Sequence, residues 1–214
     1  MTSRPFYSFF QLEKWSPHDE LNACSIPLNY KNRDTKVLVC HDYQGGYNED
    51  AKVQGSTVDK CYTLSKFWSF LDIFVYFSHH TITIPPVCWI QAAHTNGVLV
   101  LGTIITEGDH GQLENLLMIF GDLKNKTAFA RKYADILIRI ATYYNFDGWF
   151  INLESPLPKE HIPHLINFLQ YLTEEMHKAK SESLIIWYDA LTIEGKVDWQ
   201  DKLTLKNKVM QIIA

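Results

Sequence analysis

The sequence predicts an α/β protein with a parallel sheet of the (β/α)-barrel type, and three observations lead to this fold. Short apolar runs alternate with helical patterns, each run ends in polar side chains, and no glycine-rich nucleotide-binding motif is present in the sequence. Strands that alternate with helices form a parallel sheet, which is either an open doubly wound sheet or a barrel. Polar residues after every strand favour the barrel, because the loops that follow its strands all open on one rim.

Five apolar runs, rich in β-branched and aromatic residues, have the length of buried strands. Their hydrophobicity is continuous rather than alternating, as it is in parallel strands that are covered on both faces. The runs are Val37 to Cys40, Ile73 to Phe77, Val98 to Ile105, Trp149 to Leu153, and Leu184 to Tyr188. We therefore predict five parallel strands.

Helices are predicted between these strands. Apolar residues three and four positions apart indicate one helix within Phe129 to Tyr144 and another within Ile162 to Met176. A shorter helix is predicted between Pro85-Pro86 and Asn96-Gly97, because proline is favoured at helix starts and glycine just after helix ends. The chain therefore repeats a strand-then-helix unit.

Length and composition favour one globular unit. With 214 residues, 46% of them hydrophobic, the chain can bury a sizeable core. Periodicity is weak at first, so we expect residues 1–34 to be a lead-in that packs on a barrel domain of residues 35–214. A net charge of −4 with scattered basic residues argues against nucleic acid or an anionic membrane as partner. Without a secretory signal pattern or an apolar run of about 18 residues, a cytosolic protein is expected.

The segment from Phe146 to Glu154 carries the most informative chemistry. Alternate strand residues share a face, so Asn152 and Glu154 point the same way with their Cα atoms about 7 Å apart. Most glycosidases use two carboxylates. A sugar with a 2-acetamido group can supply the nucleophile itself, and the enzyme then needs one acid, Glu154, and one group that holds the acetamide, Asn152. The competing interpretation is a strand-end pair that hydrogen-bonds neighbouring loops.

Further polar residues are candidates for the rim. We predict that His41, Asp42 and Tyr47 either contact sugar or pack the loop that Gly45-Gly46 turns. Glu107 ends its strand and is predicted to contact substrate. No metal site is expected at His79-His80, because adjacent strand residues point to opposite faces and no third ligand is suitably spaced. The four cysteines, Cys24, Cys40, Cys61 and Cys88, are widely spaced and are expected to be reduced thiols.

Ordered sequence blocks resemble two related groups of glycosidases. The pattern Asp-Gly-x-x-x-[Asp/Asn]-x-Glu resembles the chitinase signature, but Phe150 and Asn152 replace its other carboxylates, which argues against a plain chitinase. From about residue 8 to about residue 208 the chain resembles glycoside hydrolase family 85, the cytosolic endo-β-N-acetylglucosaminidases. The blocks are Leu38 to Tyr47, Ile73 to Trp89, Gly97 to Glu107, Phe146 to Glu154, Ile186 to Asp189, and Trp199 to Asp201.

This resemblance implies a (β/α)8 barrel that cleaves the bond between the two core N-acetylglucosamines of N-glycans. The implied mechanism is retaining and substrate-assisted and needs no cofactor. The implied substrates are free oligosaccharides or glycoproteins. Glu154 is then the acid/base and Asn152 orients the acetamido group. Tyr188 matches a family tyrosine near the same acetamide, and Trp199 matches an aromatic residue near the acceptor side. Gly108 stands where the family has a tryptophan after Glu107.

The number of strands departs from the family pattern. A (β/α)8 barrel has eight strands and about 250 residues, whereas five strands are predicted here. We therefore expect a shortened or fragmentary form. The alternatives to an active enzyme are a non-catalytic glycan-binding or non-functional isoform and an unrelated α/β interaction protein, which the ordered blocks disfavour.

Overall fold

The structure, a computed structural model, describes residues 4–17, 24–28, 34–51, 64, 67–199, 202 and 204–207. Its strands are β1 (Leu38–Asp42), β2 (Ile73–Phe77), β3 (Ile82–Thr83), β4 (Leu99–Thr106), β5 (Gly148–Leu153) and β6 (Leu184–Trp187). Its helices are α1 (Phe9–Leu12), α2 (Val87–Thr95), α3 (Gly111–Phe120), α4 (Lys132–Tyr144) and α5 (Ile162–Ala179). None of these helices is long and apolar enough to cross a membrane.

The five predicted strands pair in chain order, and every pair in the order β1-β2-β4-β5-β6 is parallel. The prediction of a parallel α/β sheet is therefore confirmed. The structure adds the two-residue strand β3, which pairs antiparallel with β4. It also adds α3, which follows β4 directly. The described helix α4 begins at Lys132 rather than near Phe129.

Both faces of the sheet are apolar, which explains the continuous hydrophobicity of the strands. The outer face packs on the helices and forms the main core, and it includes Phe74, Val100 and Ile151. The inner face carries a second, smaller cluster of buried residues. This cluster consists of Ile73, Val75, Phe77, Leu99, Leu101, Ile105 and Phe150. Within each strand its members are separated by even steps, as the strand period requires.

The inner face is open at both sides of the sheet. Within the described residues, β1 and β6 each have one parallel neighbour and so form the two edges. Leu38 on β1 is 37% exposed, and Leu184 and Ile186 on β6 are only partly buried. A closed barrel has no such edges. The described strands therefore form an open wall rather than a closed barrel.

The first described residues dock on the sheet and on α3. The backbones of Phe6 and Ile82 exchange two hydrogen bonds of 2.9 Å, which extends the β3–β4 pairing by one bridge. The amide of Phe9 donates a 2.9 Å hydrogen bond to Oε2 of Glu114 on α3. This part of the predicted lead-in packs on the domain, and a boundary at residue 34 stays a prediction.

A buried polar network fixes the amino end of β5. Asp147 and His94 are both fully buried. Oδ2 of Asp147 accepts hydrogen bonds from the amide of Val100 at 2.7 Å and from Nε2 of His94 at 2.8 Å, and Oδ1 pairs with Lys180. At Gly148, which has φ of 141°, a Cβ atom would lie 1.8 Å from the carbonyl oxygen of Leu184. The Asp-Gly pair therefore joins β5 to β4, α2 and β6.

Candidate active site

Most of the candidate side chains meet at the carboxyl end of the inner face. Asp42 is the last residue of β1, and Asn152 continues the inner-facing series of β5 after Phe150. Beyond the strand ends, the same series reaches Glu107 after β4, Glu154 after β5 and Tyr188 after β6. The inner cluster below them is apolar, so the polar groups are confined to one rim. This is where a parallel barrel builds its site.

Asn152 and Glu154 form a direct pair. Nδ2 of Asn152 donates a 3.1 Å hydrogen bond to Oε1 of Glu154. Asn152 is 3% exposed, and within the described part of the chain its Oδ1 has no hydrogen-bond partner. An unsatisfied acceptor that is buried costs free energy, about 1–3 kcal/mol, until a donor reaches it. The pair therefore presents an acceptor that lacks a donor beside a partly exposed carboxyl group.

Backbone hydrogen bonds continue the sheet past the strand ends and fix the positions of Tyr188 and Glu154. The amide of Tyr188 donates to the carbonyl of Ile151 at 2.8 Å, which continues the β5–β6 ladder and brings Tyr188 beside Asn152. Its ring lies 6.1 Å from that of Phe150. The amide of Glu154 donates to the carbonyl of Thr106 at 2.8 Å, which extends the β4–β5 ladder. Glu154 therefore lies opposite Glu107.

A buried asparagine on α3, which is not among the site residues predicted from the sequence, supports the turn after Glu154. Oδ1 of Asn115 accepts a 2.8 Å hydrogen bond from the Thr106 hydroxyl, and its Nδ2 donates to the carbonyl of Ser155 at 3.0 Å. The Ser155 hydroxyl in turn donates to the carbonyl of Thr106 at 3.2 Å. A signal was present, because the polar residue Asn115 directly precedes the apolar run Leu116 to Phe120.

His79 joins two carboxylates across the rim. Its Nδ1 lies 2.9 Å from Oε1 of Glu107, and its Nε2 lies 3.2 Å from Oδ2 of Asp42. The hydrogen bond to Glu107, with a further contribution from Asp42, raises the pKa of His79 above its usual value. This bridging role is not predicted from the sequence, in which His79 is weighed only as a metal ligand. Among the described residues, no group of three or more His, Cys, Asp and Glu side chains is arranged to hold a metal ion.

His41 and Tyr47 lie away from this cluster. His41 precedes Asp42 and therefore points to the opposite face, where its ring stacks on Tyr43 at 4.1 Å. The Tyr47 hydroxyl donates to the carbonyl of Ile84 at 2.5 Å and accepts from its amide at 2.8 Å. Burial raises the pKa of Tyr47 well above its usual value, so the hydroxyl stays a donor. Packing, the alternative to sugar contact, accounts for these interactions.

Trp199 lies in a loop beyond β6 and its side chain is 60% exposed. The amide of Asp198 donates to the carbonyl of Ala190 at 2.9 Å, which holds this loop near the end of β6. The next residues of the sequence block, Gln200 and Asp201, lie outside the described residues. The described cysteines Cys24, Cys40 and Cys88 are free thiols, whereas Cys61 lies outside the described residues.

The chain is similar to known proteins over nearly all of its length. A model of the family described as glycosyl hydrolase family 85 matches residues 46–211. The cytosolic endo-beta-N-acetylglucosaminidase of Gallus gallus is 45% identical over 206 residues, which are 93% of this chain and 28% of that protein. The Homo sapiens protein of the same name is 39% identical over 219 residues, which are 97% of this chain and 29% of that protein.

A solved structure supports the fold. The glycoside hydrolase domain of Endo-D from Streptococcus pneumoniae R6 matches with a TM-score of 0.72 at 23% identity, over 96% of this chain and 34% of that chain. At this identity the likeness concerns the fold alone, which is a parallel α/β fold of the TIM-barrel type. The chain covers part of such a barrel, and it spans less than a third of the length of the curated relatives.

Proposed function

Because the chain belongs to glycosyl hydrolase family 85, we propose that it carries the catalytic pair of an endo-β-N-acetylglucosaminidase. The substrate is an N-glycan, free or on a glycoprotein, and the bond hydrolysed joins its two core N-acetylglucosamines. Relatives of that name, 45% and 39% identical, support this activity. The observation that carries the proposal is the pair of Asn152 and Glu154, in which a buried amide oxygen without a described partner stands beside a carboxyl group.

The proposed reaction uses the acetamide of the substrate as its nucleophile. The acetamide carbonyl oxygen attacks the anomeric carbon, while Glu154 donates its proton to the leaving sugar oxygen. This step breaks the glycosidic bond and gives an oxazolinium ion. The carboxylate of Glu154 then takes a proton from water, whose oxygen attacks the same carbon and opens the ring. Two inversions give net retention, and no cofactor takes part. General acid catalysis contributes about 10² to 10⁴-fold in such steps.

Asn152 is proposed to hold the acetamide. Its Oδ1 accepts the acetamide N–H, which becomes more acidic as positive charge develops during the attack. The hydrogen bond from Nδ2 to Oε1 of Glu154 leaves the other carboxyl oxygen, Oε2, to carry the proton that is transferred. Tyr188, which lies beside Asn152 and is 38% exposed, closes the other side of the acetamide. Such oriented dipoles can stabilise developing charge strongly in a site that excludes water.

The remaining rim residues are assigned to sugar contacts. Asp42 and Glu107 are exposed carboxylates that can accept hydrogen bonds from sugar hydroxyls, and His79 holds them in place. Trp199 can offer its exposed ring to the acceptor sugar. Sugar contacts by His41 and Tyr47 stay predictions. The name shared by the relatives also supports a location in the cytosol.

A second candidate function is glycan binding without cleavage. It is favoured by the open inner face of the described strands, where Leu38 on the edge strand β1 is 37% exposed. A site that is less confined holds its groups less accurately, and catalysis is sensitive to errors of about 0.5 Å.

Incubation with a high-mannose glycopeptide separates the two functions. The enzyme releases a glycan that ends in a single reducing N-acetylglucosamine and leaves one N-acetylglucosamine on the peptide. Mass spectrometry of both products is the measurement. Binding of the glycopeptide with no release, at enzyme concentrations up to equimolar, would favour the second candidate.

A further inference from the structure

A cavity of about 380 Å³ adjoins the rim on the outer side of Glu107. Its walls come from the lead-in, from the segments after β2 and β4, and from the first turn of α3. Tyr7, Ser8, His79, Glu107, His110 and Glu114 are among the lining residues. Cavities of about 300 to 1,000 Å³ are typical of small-molecule sites. This one is at the small end of that range, which suits one or two sugar residues.

Hydrogen bonds between side chains and the backbone fix the walls of the cavity. The Thr81 hydroxyl donates to the carbonyl of Tyr7 at 2.9 Å. The amide of Tyr7 donates to Oε1 of Gln11 at 2.8 Å, and Glu114 accepts from the amide of Phe9 at 2.9 Å. The lead-in is therefore tied to the segment after β2 and to α3, so binding would not have to order it.

The lining groups indicate what the cavity can bind. Two carboxylates, two imidazoles and a serine hydroxyl offer both acceptors and donors, and Tyr7, 61% exposed, adds an aromatic ring. Burial raises the pKa of Glu114, which favours the neutral carboxyl group over the carboxylate. None of the lining residues is Lys or Arg. A phosphate, sulfate or carboxylate ligand would thus meet two acidic side chains without a lysine or arginine partner.

We propose that this cavity is a subsite for a neutral hexose on a branch of the N-glycan. The inference rests on the proposed function. Glu107 connects the cavity to the proposed catalytic pair, because it lines the cavity and also lies opposite Glu154 across the β4–β5 pair. Neighbouring strands are about 4.8 Å apart, so a sugar in the cavity lies only a short step from the cleaved bond. Substrate that fills the cavity is thereby oriented at Glu154.

The test compares two substrates in the full chain. One is a branched high-mannose glycopeptide, and the other is a glycopeptide with a single mannose beyond the cleaved bond. Tyr7→Ala and His110→Ala each remove an exposed side chain from the cavity wall. The His110 side chain does not cap α3, and Tyr7 bonds Gln11 through its backbone amide, which the substitution keeps. We expect the ratio of kcat/KM for the branched to the short substrate to fall about fivefold in each variant, as for the loss of one sugar contact. Phe10→Ala is the matched control, since Phe10 is a 54% exposed aromatic of the same segment outside the cavity.

A binding measurement makes the result independent of catalysis. In saturation-transfer NMR, free oligomannose should contact the wild-type chain, and Tyr7→Ala should weaken the signal while Phe10→Ala should not. An unchanged ratio of kcat/KM, or no binding by the wild type, overturns the subsite and leaves the proposed hydrolysis standing. Tyr7-dependent binding in a chain that releases no glycan would instead support the subsite and reject the hydrolysis. Equal melting temperatures of the variants and wild type show that folding is intact.

Discussion

Asn152 donates its 3.1 Å hydrogen bond to the same side chain, Glu154, that the proposed reaction uses as acid and base. The two residues are separated by one strand position, and no other described element is needed to bring them together. The pair therefore depends on β5 keeping its strand conformation to its last residue. It also means that replacing either residue affects the other, so their substitutions should not be additive.

Glu154→Gln should lower glycan release by at least about 10²-fold, because the amide cannot give a proton to the leaving sugar. The measurement is the initial rate on a high-mannose glycopeptide. Glu160→Gln, an exposed carboxylate in the turn before α5, is the control and should keep the wild-type rate. Near-normal release by Glu154→Gln would remove Glu154 from the mechanism.

Asn152→Ala should lower hydrolysis of the natural glycan by about 10² to 10³-fold, the range seen when one transition-state hydrogen bond is lost. A preformed sugar oxazoline needs no acetamide attack, so its hydrolysis should suffer much less in the same variant. Rates on both substrates give the comparison. If both fall by the same factor, Asn152 has only a structural role.

Stability should depend on pH through His79. Its pKa is raised in the folded protein by Glu107 first and then by Asp42, so folding favours the protonated ring. This contribution is fully present below the unfolded pKa of about 6.5 and is lost as the pH rises through the higher folded value. Urea unfolding from about pH 6 to about pH 8 should therefore show a loss of stability that His79→Gln abolishes. The effect should be small and should weaken with salt, because His79 is about half exposed. A wild-type curve that rises over the same range would contradict the assignment.

Asp147→Ala should destabilise the fold by about 3–5 kcal/mol, since it leaves buried His94 and the amide of Val100 without their acceptor. Equilibrium unfolding in urea measures this loss of unfolding free energy. Glu182→Gln, in the exposed turn between α5 and β6, should change the free energy of unfolding by less than about 0.5 kcal/mol. A change of similar size for Asp147→Ala would show that the network is not a stabilising one.

The strands could be predicted because their apolar runs are continuous, and the long helices could be predicted because their apolar residues recur three and four positions apart. β3 could not, because two residues carry no period, and its pairing with β4 depends on Phe6 from the distant lead-in. α3 was not predicted because its apolar residues form the continuous run Leu116 to Phe120, and so short a run fits a buried strand as well as a helix.

The candidate site was predictable only where the strand period still applied. Asn152 shares a face with Phe150 inside β5, and the period could be extended to Glu154. His79 lies past the end of β2, where the chain bends, so its two carboxylate partners could not be read from spacing. For His41, the strand period argues against a place in the site. This residue belongs to β1, and the alternation of faces separates it from Asp42.

The six-residue strand β5 has unlike ends. Asp147 and Gly148 anchor one end, while the proposed catalytic pair, Asn152 and Glu154, lies at the other end, about 13 Å from Gly148 at its nearest. A substitution of Asn152 or Glu154 should thus leave the anchor at Asp147 and Gly148 intact. A reagent could be made on the basis of the proposed function: immobilised Glu154→Gln protein should still capture N-glycans and release them unaltered, and so serve as an affinity matrix for glycopeptide enrichment.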